Sequence, residues 1–196
     1  MDKEDFINKV NSEIGETKIL RSVCIAMAIL ETGWGTNELY KVNNIYSLNC
    51  YDEKLTEKYN DNFVFVNAPQ EYNGKTTYST EKFFAFKDFK EATECLMLWF
   101  TRPKYDGIFE IKDYKELCRH IHKCGYATSS KYSNSLIRII EQYNLTRFDV
   151  EQMKPKPTKT MYCVQVGAYE HYENAKNKQL QLKQLGIEAY IYEKEF

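Results

Sequence analysis

Apolar residues occupy nearly every face of a predicted helix between Ile19 and Leu30. A helix that is apolar all round is a buried helix, and Gly33 and Gly35 predict where it ends. Glu31 therefore lies at the C-terminal end of a buried helix, where the chain returns to the surface. The negative end of the helix dipole and burial both disfavour a carboxylate, so both raise its pKa. A carboxyl group that stays protonated near neutral pH suits a general acid; the alternative is a solvated glutamate at an ordinary helix end.

The rest of the pattern predicts a mostly helical region with one hairpin. An amphipathic helix is expected over residues 2–14, and a short helix or loop over residues 36–51. β-rich runs flank Asn73-Gly74, and Asn-Gly between such runs is the strongest short hairpin signal. Asp-x-x-Glu pairs at Asp88 and Asp113 resemble capping boxes that begin two helices. The predicted segments are strands 62–67 and 76–86 and helices 88–100, 113–124 and 131–143.

A composition shift divides the chain into two units. Residues 150–160 carry two prolines and three lysines with little to bury, which is typical of a solvated linker. The first domain is therefore expected over residues 1–149 and a small unit over 161–196. In that unit the pattern predicts a βαβ order, which makes a parallel pair with a right-handed crossover. Its predicted elements are strand 162–169, helix 172–185 and strand 187–192.

Charge and hydropathy exclude several classes of partner. The formal net charge is −1, so no strong field directs the chain to nucleic acid or anionic lipid. The longest apolar run, Val23 to Leu30, is too short to span a bilayer, so no membrane partner is expected. The charged N-terminus predicts no secretory signal peptide, and hence synthesis in the cytoplasm.

The six cysteines do not predict a metal site. Cys118, His120, His122 and Cys124 lie on one predicted helix, where residues two apart do not face each other. One helix cannot bring all four side chains to a tetrahedral zinc ion. We therefore expect free thiols and no metal or other cofactor.

Three motifs in order resemble one known family. Leu30-Glu31-Thr-Gly-Trp34-Gly35, Asn43-Asn44-Ile-Tyr-Ser-Leu48 and Gly125-Tyr126-Ala-Thr, followed by Tyr132, are similar to the glucosaminidase domain of glycoside hydrolase family 73. Bacterial autolysins and flagellar-rod muramidases carry this domain, and the match covers roughly residues 1–150. The chain departs from the family pattern at Ser47, where the family has Gly, and at Ser129-Ser130, where it has Asp-Pro. The resemblance implies an α+β class: a lysozyme-like, mostly helical catalytic domain with a β-hairpin lobe, followed by the small βαβ unit.

The resemblance also implies a pair of catalytic carboxylates. Glu31 is expected as the general acid, and Glu71, just before Asn73-Gly74, as the second carboxylate that approaches from the hairpin. The alternative for Glu71 is a solvated turn residue, and the rivals for its role are Glu53, Glu57 and Glu81.

Four further residues are expected to bind substrate. By resemblance, Tyr126 would stack on a sugar or hydrogen-bond to its N-acetyl group, and Tyr132 would support Tyr126. Trp34 is either a sugar platform or a lid on the buried helix, and we favour the lid. Asn44 either lines the cleft or caps its own loop.

The expected function is hydrolysis of the β-1,4 bond after N-acetylglucosamine in bacterial peptidoglycan, with the glycan strands as partner. The alternatives are a muramidase or lytic transglycosylase on the same fold, or a non-catalytic wall-binding module. Without a signal peptide, such a hydrolase resembles a phage endolysin that reaches the wall on lysis; otherwise it acts outside the cell.

The C-terminal unit resembles half of a SPOR domain, a family that binds peptidoglycan. The resemblance rests on Tyr162-Cys-Val-Gln-Val-Gly-Ala-Tyr169, with Glu-Asn-Ala-Lys in the following helix. The family's domain repeats the βαβ unit twice, so residues 161–196 are expected to pair with a second copy and form a homodimer. The alternative is that the unit docks on its own catalytic domain, with the linker folded back.

Overall fold

The computed structural model describes residues 2–59, 62–72, 75–153 and 164–193, without the side chains of 53, 54, 68–72, 75–77 and 151–153. Two compact units divide the chain, Met1–Pro155 and Lys156–Phe196. The described elements are α1 (Lys3–Glu13), α2 (Arg21–Thr32), α3 (Glu38–Lys41), α4 (Glu53–Lys58), β1 (Phe63–Tyr72), β2 (Lys75–Phe84), α5 (Phe89–Trp99), two 3₁₀ turns (Pro103–Tyr105 and Ile108–Glu110), α6 (Tyr114–Lys123), α7 (Tyr132–Gln142), α8 (Arg147–Met153) and α9 (Tyr172–Gln184).

The centre of the first unit is α2. Every residue from Ser22 to Ile29 is buried, and the helix packs against α1, α6, α7 and α8. Gly33 ends the helix in the left-handed conformation, with φ of 56°, and its N–H returns to the carbonyl of Ile29. The predicted buried helix and its glycine stop are therefore confirmed.

The start of α2 is held by a residue from a distant helix. The N-cap position, Leu20, offers no side-chain acceptor. Asp149 of α8 supplies one instead, because its Oδ1 accepts from the backbone N–H of Ser22 at 2.8 Å. A carboxylate at a helix N-terminus satisfies an orphan donor and complements the dipole. Asp149 is itself buried, so α8 belongs to the core of the first unit.

The predicted boundary at residue 149 falls inside α8. This helix continues to Met153, four residues into the segment expected to be linker. The reason is that Phe148 and Asp149 are anchored in the core and carry the following helical turn with them. Residues 154–160, the rest of the predicted linker, lie outside the described residues, as do residues 161–163 of the predicted C-terminal unit.

The hairpin is an antiparallel ladder whose base is buried. Its register runs from Phe63 opposite Phe84 to Tyr72 opposite Lys75, and the predicted Asn73-Gly74 turn lies outside the described residues. At the base, Phe83 and Phe84 are buried, and Phe84 N–H donates to Leu48 O at 3.1 Å. Ten-residue strands extend about 30 Å at roughly 3.3 Å per residue.

Capping confirms two predicted helix starts. Asp88 accepts from the backbone N–H of Glu91 at 2.8 Å, while the Glu91 carboxylate accepts from the backbone N–H of Lys87. Asp113 accepts from the N–H of Glu116 in the same way. These bonds satisfy donors that a helix start leaves free, so the two helices begin where the sequence predicts.

The second unit contains the predicted helix but no strand ladder among residues 164–193. Helix α9 covers Tyr172–Gln184, and the flanking segments predicted as strands pair with nothing in that range. Local contacts do tie one segment to the helix, because Gln179 Nε2 donates to Ala189 O at 2.7 Å. The predicted parallel pair of strands is therefore not observed within residues 164–193.

No helix in the described part of the chain is both long and apolar enough to cross a bilayer.

Candidate active site

Glu31 lies in the last turn of α2, and its side chain is half-buried. The loop that follows folds back over the helix end. Asn37 Nδ2 donates to the backbone carbonyl of Glu31 at 2.7 Å, and Gly35 N–H donates to Thr32 Oγ1 at 3.0 Å. The bond from Asn37 satisfies a carbonyl that a helix C-terminus leaves open, and both bonds hold the loop against the helix end that carries the carboxyl group.

Tyr132 contacts the Glu31 carboxyl directly. Its hydroxyl donates to Glu31 Oε1 at 2.8 Å, and its ring is buried at the start of α7. The ring centroids of Tyr132 and Tyr126 lie 5.9 Å apart with a 30° interplanar angle, and the expected support of Tyr126 by Tyr132 stays a prediction. Tyr132 therefore holds the candidate acid, a role that the sequence did not indicate.

Burial raises the pKa of Glu31 above its ordinary value of 4.5. Hydrogen bonds from the hydroxyls of Tyr132 and Ser47 favour the ionised form and lower the pKa, but burial is the larger effect. Burial, followed by the nearby charge of Glu31, raises the pKa of Tyr132 well above 10. Tyr132 thus remains a neutral donor while Glu31 changes its protonation state.

Tyr126 forms the wall beside this pair. Its hydroxyl donates to the backbone carbonyl of Tyr46 at 2.6 Å, and its ring lies near Tyr132 and, at 5.9 Å, near Phe100. Because the hydroxyl is already bonded to the protein, the half-buried ring is the part that can meet a ligand. Burial, then the charge of Glu31, raises the pKa of Tyr126 as well.

Asn44 takes the structural role that the sequence left open. Its side chain is fully buried, and its amide donates to Leu48 O at 2.9 Å and to Phe84 O at 2.8 Å. Its Oδ1 accepts from the Leu48 N–H. These three bonds tie loop 44–48 to the hairpin base. Asn44 thus shapes the site without a surface of its own in it.

Trp34 packs among side chains of α1 and of the segment after α7. Its ring makes edge contacts with Phe6 of α1 at 5.7 Å and with Tyr143, just after α7, at 4.9 Å. The Lys3 ammonium lies 5.1 Å from the ring centroid, a distance typical of a cation–π contact. These neighbours account for the ring without a sugar.

The second carboxylate stays a prediction. The backbone of Glu71 lies in β1 opposite Thr76, next to the hairpin tip, and its side chain is outside the described residues, as is that of Glu53. Glu57 is exposed on α4. Glu81 of β2 accepts hydrogen bonds from Ser79 and Tyr51, and these bonds lower its pKa.

Among the described residues, no cluster of three or more His, Cys, Asp or Glu side chains could hold a metal ion. On α6, His122 Nδ1 lies 3.2 Å from Ser133 Oγ, and Cys118 is buried in the core, where burial raises its thiol pKa to about 12.

In the C-terminal unit, tyrosines line a groove of about 600 Å³ between α9 and its two flanking segments. Among residues 164–193 only Leu182 is buried, while many large apolar side chains are exposed. The tyrosines that line the groove are Tyr169, Tyr172, Tyr190 and Tyr192.

Comparison with known proteins agrees with the motifs. The profile of the Glucosaminidase family, described as mannosyl-glycoprotein endo-β-N-acetylglucosaminidase, matches residues 8–145. Exo-glucosaminidase LytG of Bacillus subtilis is 30% identical over 138 residues, which are 67% of this chain and 46% of LytG. Peptidoglycan hydrolase FlgJ of Salmonella typhimurium is 24% identical over 148 residues, 72% of this chain and 46% of FlgJ. The chain thus spans less than half the length of these two relatives.

A solved structure agrees with the fold. The catalytic domain of the autolysin Auto from Listeria monocytogenes superposes with a TM-score of 0.58 and 25% identity, over 74% of this chain and 86% of that domain. The predicted lysozyme-like α+β class is confirmed.

The difference in stability between a Glu31→Gln variant and the parent protein should depend on pH in a defined direction. A raised carboxyl pKa means that the folded state holds the proton more tightly than the unfolded state does. Stability is therefore lost as pH rises from about 4.5 through the pKa of the folded protein. Gln avoids that loss. We expect the Tm of the variant to equal or exceed that of the parent at pH 8, with a smaller difference at pH 4.

Thermal melts of both proteins at the two pH values test this expectation. Glu110→Gln, at an exposed position, should shift the Tm equally at both pH values. A Glu31→Gln variant that loses more stability at pH 8 than at pH 4 would contradict the dominance of burial at Glu31.

Proposed function

We propose that this chain, which belongs to the glucosaminidase family, hydrolyses β-1,4 bonds in the glycan strands of peptidoglycan with Glu31 as the general acid. The observation that carries the proposal is the half-buried Glu31 carboxyl, whose pKa burial raises and which Tyr132 holds at 2.8 Å. The names of LytG, an exo-glucosaminidase, and FlgJ, a peptidoglycan hydrolase, support the substrate class.

The two forms of Glu31 suit the two halves of an acid-catalysed cleavage. As the glycosidic C–O bond breaks, the leaving oxygen must receive a proton, and protonated Glu31 supplies it. The carboxylate that remains is then stabilised by the hydroxyls of Tyr132 and Ser47. Burial thus favours the protonated form of Glu31 before proton transfer, and hydrogen bonds from the two hydroxyls stabilise the carboxylate afterwards.

A second group must then act on water or on the sugar. An inverting pair of carboxyl groups is about 6.5–9.5 Å apart. We propose that Glu71 is the second carboxylate and that the hairpin brings it towards Glu31 when substrate binds. The alternative is that the N-acetyl group of the substrate assists, which would make Glu71 dispensable.

The bond that is cleaved can be read from the products. We propose cleavage after N-acetylglucosamine, so digestion of purified peptidoglycan should release fragments with N-acetylglucosamine at the reducing end. A muramic acid reducing end would instead identify a muramidase, and an anhydromuramic end a lytic transglycosylase. A role in phage lysis stays a prediction from the sequence.

Glu31→Gln should abolish hydrolysis while the fold is kept. Gln has nearly the same volume and can still accept from Tyr132, but it has no acidic proton to give. General acid catalysis is typically worth about 10²–10⁴ in rate, so we expect a loss of that order in the release of reducing ends.

Circular dichroism and the Tm show whether the variant is folded, and the exposed Glu110→Gln should keep full activity. A folded Glu31→Gln protein that digests peptidoglycan near the parental rate would remove Glu31 from the mechanism.

Glu71→Gln should lower kcat by about 10²-fold and change KM little, because a base acts in the chemical step. Glu81→Gln is the matched variant on the opposite strand and should keep most of kcat. If Glu81→Gln loses activity and Glu71→Gln does not, Glu81 is the second carboxylate. Parental kcat in both variants would favour assistance by the substrate's N-acetyl group.

For the C-terminal unit we propose a SPOR-like wall-binding role and self-association. Its segments flanking α9 form no ladder within residues 164–193, and they carry most of its exposed apolar side chains. A unit below about 40 residues seldom buries a sufficient core alone. A second copy offers the same unpaired backbone and apolar face, so the two could complete each other with two-fold symmetry. A pair of wall-binding units would also gain avidity on a repetitive glycan.

Sedimentation velocity at micromolar concentration should therefore show a dimer. Ile187→Asp, which puts a charge on a half-exposed apolar position of the unit, should give a monomer, whereas Val150→Asp, on the exposed surface of α8, should not. A monomeric parent chain would exclude the dimer. A dimer that persists in a chain ending at Pro155 would place the interface in the first unit.

A second experiment measures what the C-terminal unit adds to wall binding. The full chain and the chain ending at Pro155, both carrying Glu31→Gln, are co-sedimented with purified peptidoglycan, and the bound fractions are compared.

A further inference from the structure

One face of the hairpin exposes a row of aromatic side chains. In β1, Phe63 is 43% exposed and Phe65 is 66% exposed, and Tyr78 in β2 is 68% exposed. Single apolar side chains at a surface are common, but a contiguous exposed row is typical of a binding surface. The fold of the first unit alone does not account for this row.

Strand register and ring contacts place these side chains on the same face. Phe65 lies opposite Lys82, and the rings of Phe63 and Phe65 meet edge to face at 5.6 Å. The Lys82 ammonium lies 3.7 Å from the centroid of the Phe63 ring. Tyr78 precedes Lys82 by four positions in β2, and side chains an even number of positions apart share a face. The row therefore extends roughly 13 Å along the ribbon from Phe65.

The other face of β2 is engaged in polar contacts. Ser79 and Tyr51 both donate hydrogen bonds to the carboxylate of Glu81. Within the described part of the chain, Phe65 and Tyr78 make no ring contact and no hydrogen bond to a residue outside the hairpin. The aromatic face is therefore the one that can receive a ligand.

The row begins beside the candidate active site. Phe63 pairs with Phe84 at the hairpin base, and loop 44–48 is bonded both to Phe84 and to the hydroxyl of Tyr126. Glu71, the proposed second carboxylate, lies further along the same strand as Phe63. A ligand that follows the ribbon would thus be continuous with one that lies against Tyr126.

A glycan strand suits this face better than a protein does. A sugar ring has an apolar face of C–H groups edged by hydroxyls, so it matches aromatic rings flanked by hydrogen-bonding side chains. Asn67 and Thr80 supply such side chains, since they pair across the ribbon between Phe65 and Tyr78. Lys82 adds a positive charge that complements the carboxylates of peptidoglycan. Stable protein interfaces instead cover about 800 Å² on each side and are poor in Lys, whereas the two strands lie only about 5 Å apart.

We propose that Phe65 and Tyr78 form a stacking platform that binds the glycan strand of peptidoglycan away from the bond that is cleaved. The proposal rests on the proposed function, because the strand held here is the substrate of Glu31. The platform takes no part in the chemical step. Contacts that are equally strong before and during the reaction lower KM without raising kcat, so the two rings act on KM.

Alanine variants test each ring in the full chain, with soluble glycan strands freed of stem peptides as the substrate. Phe65→Ala and Tyr78→Ala should each raise KM about fivefold, and the double variant about 25-fold, because the two sites are far enough apart to be additive. The kcat should stay within about twofold. Both side chains are exposed, so the Tm should stay near the parental value.

Two further variants show whether the aromatic ring itself is responsible. Tyr78→Phe keeps the ring and should restore most of the affinity that Tyr78→Ala loses. Val66→Ala, at the next position to Phe65 and hence on the opposite face of β1, is the matched control and should change neither kcat nor KM.

Direct binding separates this proposal from the proposed function. Isothermal titration calorimetry of the full chain carrying Glu31→Gln measures the Kd for the same strands without turnover, and adding Phe65→Ala should raise the Kd about fivefold. The C-terminal unit is present in every variant, so its contribution is common to all. Parental KM and Kd in the double alanine variant would overturn the platform and leave hydrolysis in place. A parent chain that binds the strands through both rings but releases no reducing ends would overturn only the hydrolysis.

Sedimentation velocity covers the remaining occupant, a second copy of this chain. The double alanine variant should have the parental sedimentation coefficient. A lower coefficient together with a parental Kd would make the aromatic face a contact between copies and would overturn the platform.

Discussion

Burial of α2 is the constraint on which the candidate site depends. Four helices pack against it, and Asp149 of α8 accepts from the N–H of Ser22 at its start, so the side chains from Ser22 to Ile29 are all buried and the helix returns to the surface in its C-terminal turn. Glu31 occupies that turn. The packing that stabilises the domain is also what disfavours a negative charge there, because a carboxylate loses water that the apolar neighbours cannot replace. The fold thus raises the pKa of the Glu31 carboxyl, and the ionised carboxylate costs stability at this position.

Parts of the candidate site are held by contacts that do not involve Glu31. Tyr126 is bonded to the carbonyl of Tyr46, and Asn44 joins loop 44–48 to the base of the hairpin. Removing the Glu31 side chain would leave these contacts in place, and such preorganisation is what a catalytic site requires. The hairpin differs, because its anchor is at the base and its strands extend about 30 Å away from it. Glu31 thus lies on a helix that is buried along most of its length, and Glu71 lies near the far end of the hairpin.

The parts of this architecture that the sequence predicted are those with local signals. The apolar run up to Leu30 and the glycine at 33 predict α2 and the place of Glu31, and Asp-x-x-Glu pairs predict two helix starts. What the sequence could not predict depends on tertiary contacts. Tyr132 reaches Glu31 across 101 residues, and α8 persists into a lysine- and proline-rich segment because Asp149 bonds Ser22 in the core.

The C-terminal unit also shows which parts of a structure its sequence cannot predict. Helix α9 forms from local pattern alone, whereas the segments that carry strand-like sequence do not pair within residues 164–193. A strand forms only when a second segment hydrogen-bonds to its backbone, so its own sequence does not determine which segment pairs with it. Val164, Val166 and Ile187 are half or more exposed there, and only Leu182 is buried. Exposure of these apolar side chains to water is unfavourable, so a surface that covers them would stabilise the unit. A second copy of the unit is the simplest such surface, because it presents the same unpaired backbone groups and the same exposed apolar side chains.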